Sequence, residues 1–390
     1  MTTLLLIIIY IAFISLGLPD SMLGSAWPTI STDLSLPIAG AGLISMIISG
    51  GTIISSMLSG RLIKKLGTAK LTLISVFMTA MALLGFSFSQ NYLWLCVMAI
   101  PLGLGAGAVD AGLNNFVALH FSAKHMSWLH CFWGIGATGG PIIMATAISK
   151  SGLWQRGYLT VSIIQICLVI ILLVSLPIWK SFKDSEEEDV TAKEENNNIF
   201  KLPGIYPALL GFFCYCALEA TAGLWGASYL VQEKGIAAGV AAGWISMYYL
   251  GITIGRLING FITSKFSNSQ LIRGGQVIIG IGAILLLIFN QTYINLLGLI
   301  LIGLGCAPIY PSMLHETPVR FGKNNSSKLM GIQMAFAYIG TTLLPPTLGL
   351  VMGKFGVSLY PVFILIILIV MFISSERTNK IVSRRIENGK

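Results

Sequence analysis

Apolar runs of about 20 residues, separated by short polar joints, recur along the whole of this 390-residue chain. A helix of that length matches the hydrocarbon core of a bilayer, whereas an outer-membrane barrel would show alternating segments of about 10 residues. Inside lipid every backbone polar group must be satisfied within the protein, so runs of this kind fold as helices. Twelve spans can be placed, near residues 4–31, 38–60, 71–89, 92–118, 127–149, 158–179, 204–231, 238–263, 270–289, 293–317, 327–352 and 357–375. Composition agrees: 55% of residues are hydrophobic and 10% charged, and mean hydropathy is +0.82, far from the roughly 25% charge of a soluble domain. The first run lacks the cationic head of a signal peptide and stays apolar past any plausible cleavage point, so it is expected to be retained as a span.

Six spans precede the one strongly polar stretch, Lys180 to Lys201, and six follow it. With SEEEDVTAKEENNN inside it, this stretch reads as a solvated linker. The expected organisation is a six-helix bundle over 1–179, a cytoplasmic linker over 180–203, a second bundle over 204–376 and a cytoplasmic tail over 377–390. The net charge of +9 is dispersed over short loops with no aromatic-interleaved patch, which argues against nucleic acid. Topology accounts for it. Loops on one side carry Arg61, Lys64, Lys65, Lys70, Lys124, Lys180, Lys183, Lys265, Arg273, Arg320, Lys323 and Lys328; the other side has Lys150, Arg156, Lys234 and Lys354. The positive-inside rule therefore expects both termini in the cytoplasm of a multi-pass cell-membrane protein. The six cysteines show neither CxxC nor metal-ligand spacing, so no disulfide and no metal is expected.

The second half repeats the first. An offset of 200 residues brings Gly51 onto Gly251, Gly60 onto Gly260, Lys65 onto Lys265, LGLG at 102–105 onto IGLG at 302–305 and Phe121 onto Phe321; an offset of 204 brings Gly136 onto Gly340 and Pro141 onto Pro345. Two related halves place a solute site between them near mid-membrane.

Ionisable residues inside spans are costly and mark function. Asp20, Asp110 and Glu219 are the membrane-embedded acids and the candidate proton-coupling groups, since a carboxylate in hydrocarbon must be neutralised, paired or wet and so readily exchanges a proton. Glu219 serves equally well as a substrate ligand or as counter-ion to Arg256, which is read as gating or structural. Asn114, one turn after Asp110, and the adjacent Asn115 are candidate substrate ligands, because buried amides need partners. Trp27, Trp133, Trp225, Tyr215, Tyr248 and Tyr310 could offer aromatic faces to a sugar ring, or could belong to the interfacial belt. His130, His315 and Glu316 read as structural or interfacial groups. Phosphate-loop, HExxH and nucleophile-elbow signatures are missing, so the chain is not expected to be an enzyme and needs no cofactor.

The spans, the repeat and the loop Gly60-Arg-Leu-Ile-Lys-Lys-Leu-Gly67-Thr-Ala-Lys70 together resemble the major facilitator superfamily, with Gly60, Gly67 and Lys70 in register with its glycine-and-basic loop motif. The usual aspartate position holds Lys64, which leaves that family's acid-based latch without its acid in this half; a tight basic turn that only fixes topology is the alternative reading. GLPDSMLGSAWP around Asp20, the acid-x-x-x-Asn pattern of Asp110 and Asn114, and HCFWGIGATGGP at 130–141 are similar to the fucose/proton symporter branch. The resemblance implies an all-helical fold of twelve transmembrane helices in two pseudo-symmetric six-helix bundles. It also implies that Asp20 and Asp110 carry protons and couple to substrate. The expected activity is proton-coupled transport of a sugar or similar polar small molecule by a monomer in the lipid bilayer. The alternative is a proton-antiport efflux pump for lipophilic compounds, favoured by the partial antiporter-like motif at 136–141; a receptor or scaffold without flux is a third reading.

Overall fold

The computed structural model describes residues 2–121, 123–179, 199–263 and 265–387. Among them, twelve helices are long and apolar enough to cross a membrane. They are numbered here as spans 1 to 12: Thr3–Asp33, Gly40–Leu66, Thr68–Ser87, Tyr92–His120, Trp128–Ser151, Trp154–Trp179, Ile205–Gln232, Ala238–Ile262, Asn268–Ile288, Thr292–Phe321, Leu329–Phe355 and Leu359–Arg385. Most of the expected linker, 180–198, lies outside the described residues, and its end forms a single 3₁₀ turn at Ile199–Lys201. Large apolar side chains such as Met57 (80% exposed) and Phe261 (81% exposed) point outward. A patch of that kind is untenable in water and ordinary against lipid.

Each half packs in the same pattern. Span 1 lies on span 5, span 2 on span 4, span 4 on span 3 and span 3 on span 6; span 7 likewise lies on span 11, span 8 on span 10, span 10 on span 9 and span 9 on span 12. Close backbone approach sets these contacts, as lipid supplies no hydrophobic drive between helices. A methyl group at Gly103 would strike the carbonyl oxygen of Ile48, and one at Gly303 that of Tyr248. The offset of 200 therefore matches contacts as well as letters. Gly136 and Gly340, matched at the second offset, likewise lie against the backbone carbonyls of Ile14 and Phe213 in spans 1 and 7.

The halves meet through spans 5 and 8, 2 and 11, and 1 and 7. At the end away from the N-terminus a single buried core joins them, containing Trp27 and Trp154 from the first half and Trp225 and Tyr229 from the second. At the N-terminal end each half keeps its own core, one around Ile9, Phe116 and Trp179 and the other around Ile205, Phe321 and Leu329. A shared core at one end and separate cores at the other leave a wedge open toward the N-terminal, basic-loop end.

Three features depart from the sequence expectations. Span 1 is two helices, Thr2–Asp20 and Met22–Asp33. Pro19 cannot donate to the carbonyl four residues earlier, and Gln165 of span 6 donates to that Ser15 oxygen instead, at 2.8 Å. Span 10 is likewise broken into Thr292–Cys306 and Ile309–Phe321, where Pro308 interrupts the hydrogen-bond ladder. Finally, the last span does not end near residue 375. The last helix continues to Glu387, with Val382 buried and Ile381 packed on Gly204, so an apolar stripe carries it past the membrane-crossing length.

Candidate functional site

The wedge between the halves is a cavity of about 1280 Å³ lined from spans 1, 2, 4, 5, 7, 8, 10 and 11. Its depth holds Asp20, Asp110, Trp133, Glu219 and Arg256, and its mouth is framed by Phe121, His315, Pro318 and Val319 near the ends of spans 4 and 10.

Local structure explains how the acids reach it. Asp20 is the last residue before the break in span 1. In span 4 the glycines face spans 2 and 3, with Gly103 and Gly107 against the backbone of span 2 and Gly105 against Ser75 of span 3. Helical spacing then turns Ala106, Asp110, Val117 and Phe121 to the cavity. Asn114 lies on the same stripe, but its amide turns back onto Asp110, donating 2.9 Å bonds to both the Oδ1 atom and the backbone carbonyl of that residue. Its role in this structure is to hold the acid. Asn115, turned about 100° further round the helix, is off the cavity lining.

Trp133 occupies the centre. Its indole Nε1 donates to Asp20 Oδ2 at 2.7 Å, and the Arg256 guanidinium lies 5.4 Å from its ring centroid, within cation–π range. Arg256 in turn reaches Glu219 Oε1 at 3.4 Å, long for a charge-assisted hydrogen bond, which prefers about 2.7–2.9 Å. Asp20, Trp133, Arg256 and Glu219 thus form one continuous chain, with the crossing from first half to second made on the face of a tryptophan. Of the two roles the sequence leaves open for Glu219, substrate ligand or counter-ion to Arg256, the geometry shows the contact with Arg256; nothing in the sequence places Trp133 between that pair and Asp20.

The aromatic candidates divide. Trp133 and Tyr310 line the cavity. Tyr215 and Tyr248 are buried behind it: Tyr248 donates to the backbone carbonyl of Glu219 at 3.0 Å, and the Tyr215 ring lies 5.9 Å from that of Tyr310. Trp27 and Trp225 are elsewhere altogether. Both are fully buried in the closed end, donating to the carbonyls of Ile38 and Pro345 at 2.9 and 2.8 Å, and so fasten spans 1 and 7 rather than face a solute. Gly60, Lys64, Gly67 and Lys70 belong to the joint between spans 2 and 3, outside the cavity. Gly67 there has φ +76° and ψ 155°, a conformation suited to glycine.

The lining also includes Thr52, His130, Asn259, His315 and Tyr338. Asn259 was legible, as it follows Arg256 by three residues and shares its helix face. Tyr338 stands in an apolar span with the same chemistry as Tyr310, and no charge or repeat match singles it out in the sequence. His130 and His315, expected as structural or interfacial groups, also line the cavity, and His315 hydrogen-bonds Asn268 at 3.1 Å.

Known proteins place this geometry in a family. The model of the Major Facilitator Superfamily matches residues 9–313 and 208–382. The chain is 24% identical over 285 residues to the bypass of stop codon protein 6 of Saccharomyces cerevisiae, covering 67% of this chain and 57% of that one. It is 23% identical over 327 residues to the glucose/mannose transporter GlcP of Bacillus subtilis, covering 78% and 77%. The crystal structure of the nucleoside transporter NupG superposes with a TM-score of 0.76 at 14% identity, covering 96% and 98% of the two chains. The chain belongs to the Major Facilitator Superfamily, a family of membrane transporters rather than enzymes, and moves small solutes across a membrane.

Proposed function

We propose that this protein couples the movement of a sugar, or a similarly hydroxylated small solute, to protons by alternating access, in the manner of the fucose/proton symporter branch. The observation that carries the reading is the pair Asp20 and Asp110. Both carboxylates face the cavity, and their hydrogen-bond partners among the described residues are neutral donors, Trp133 and Asn114. No cation fixes their charge, so a proton can do so. GlcP, a glucose/mannose transporter by name, and NupG, a nucleoside transporter, give the solute class its support.

The Asp20–Trp133–Arg256–Glu219 chain suggests how protonation reaches the other half. The indole N–H bonds an ionised carboxylate more strongly than a neutral one. Protonating Asp20 loosens Trp133, and with it the ring on which Arg256 rests. The long contact between Arg256 and Glu219 then tightens, or yields to solute, and the halves rock about their shared core. With the basic loops in the cytoplasm of the cell membrane, the open wedge is the inward-facing state, and a monomer suffices because the cavity is complete within one chain.

Uptake by membrane vesicles is the test. An inward proton gradient should drive sugar accumulation and a protonophore should abolish it; Asp110→Asn should lose gradient-driven uptake. Unchanged uptake and counterflow in that variant would remove Asp110 from the mechanism. Phe13, Leu16, Met126, Leu314 and Met330 make much of the wall apolar, which favours efflux of lipophilic compounds as the second reading. Sensitivity of a deletion strain to toxic cations, with normal growth on sugars, would select it.

A further inference from the structure

A second concave site lies on the outer surface, away from the cavity. A groove of about 470 Å³ runs between the start of span 9 and the end of span 12, lined by Arg273, Phe372, Ile373, Glu376, Arg377 and Lys380, with Asn379 and Ser383 beside them. Its two ends differ in chemistry. Phe372 and Ile373 are 43% and 46% exposed and continue the apolar belt of span 12. One to two turns further on, roughly 6–10 Å along the helix axis, the lining becomes basic.

Charge within the groove is not balanced. Glu376 is its only acid, and Arg273 occupies both carboxylate oxygens, Nε to Oε1 at 2.6 Å and a terminal nitrogen to Oε2 at 2.7 Å. That leaves the exposed Arg377 and Lys380, one turn apart on the same face, with no acidic partner in the lining. Two cations over an apolar floor at the end of a span fit an amphiphile that carries negative charge at headgroup depth. A free phosphate would use the cations and leave the floor exposed. We propose that this groove binds an anionic phospholipid of the mouth-side leaflet, with the headgroup phosphate between Arg377 and Lys380 and an acyl chain along Phe372 and Ile373.

The site touches the transport machinery through a defined path. Asn379, at its edge, accepts from Arg320 at 2.6 Å and from Ser269 at 3.4 Å. Arg320 pairs with Glu316, and Glu316 adjoins His315 at the cavity mouth. A bound headgroup would therefore sit on the polar network that ties spans 9, 10 and 12 together at the end that must open and close.

Native mass spectrometry of the purified full-length chain, equilibrated with phosphatidylglycerol or phosphatidylcholine, tests the proposal without reference to any solute. The wild type should retain phosphatidylglycerol in preference. Arg377→Gln with Lys380→Gln should reduce retention to the phosphatidylcholine level, each single exchange should remove part of the preference, and the charge-keeping pair Arg377→Lys with Lys380→Arg should preserve it. Lys150→Gln, an exposed lysine at the opposite end of the molecule, should change nothing. The proposal fails if the neutralised double variant keeps its preference, if Lys150→Gln loses as much, or if inorganic phosphate displaces the lipid. Because both exchanged side chains are exposed, folding is not at stake; should the double variant be poorly produced, the two single exchanges carry the same reading.

Discussion

The two halves share a scaffold and treat their acids in opposite ways. In the first half Asp20 and Asp110 are held by an indole N–H and an amide, both neutral. In the second half Glu219 faces a guanidinium. The same fold thus provides two carboxylates with neutral partners and one whose charge is matched. On the proposed coupling, the difference gives proton traffic to the first half and a standing ion pair to the second, and it can be broken at several points.

The largest effect should come from breaking the matched pair. Glu219→Gln leaves the partly buried Arg256 without its counter-charge, at a cost below the about 3–5 kcal/mol of a fully buried pair. A lower thermal midpoint and lost transport are expected. Removing both charges, Glu219→Gln with Arg256→Gln, should return most of the stability and none of the transport. A destabilisation by Asp110→Asn as large as that by Glu219→Gln would erase the contrast, because Asp110 pairs with no cation among the described residues.

Asp110→Asn itself should separate the two properties. Its thermal midpoint should stay near that of the wild type while proton-driven uptake falls by at least about 100-fold, the lower range for a positioned proton-transfer group. Trp133→Phe comes next. It keeps a ring under Arg256 but removes the donor to Asp20, a hydrogen bond to a charged group worth about 1.5–3 kcal/mol. Uptake should fall by roughly 10-fold or more at unchanged folded yield. Trp133→Leu, which also removes the ring face, should lower transport further; equal effects from the two would mean that the Arg256 contact carries no coupling.

Much of this contrast was readable in the sequence because cost in lipid is a strong signal. Asp20, Asp110, Glu219 and Arg256 stand out in apolar runs, and all four meet in one cavity. The repeat was readable for a related reason: glycines at Gly103 and Gly303 are required where backbones nearly touch, and that requirement leaves letters at a fixed spacing. Aromatic residues carried no such signal. Trp27, Trp133 and Trp225 are equally tolerable in lipid, and only the three-dimensional course of the helices sends one to the cavity and two into the closed end. The break at Asp20 was hidden as well, since the partner that makes Pro19 tolerable there, Gln165, comes from span 6.

Tyr310 supplies the mildest test, and the one that bears most directly on the comparison. By the repeat it occupies the place that Asp110 has in the first half, and like Asp110 it lines the cavity. Its hydroxyl, however, is directed at the thioether of Met334, 3.1 Å away, a weak acceptor. Its ring is braced by Phe212 and Tyr215, at centroid distances of 6.0 and 5.9 Å. Tyr310→Phe keeps the braced ring and loses only the hydroxyl, a neutral hydrogen bond worth about 0.5–1.5 kcal/mol. The expected result is a rise of a few fold in the half-saturating solute concentration, with maximal proton-driven uptake retained. A collapse of uptake as deep as that of Asp110→Asn would mean that the two equivalent positions do equivalent chemistry, with a phenol on one side relaying the proton that a carboxylate relays on the other.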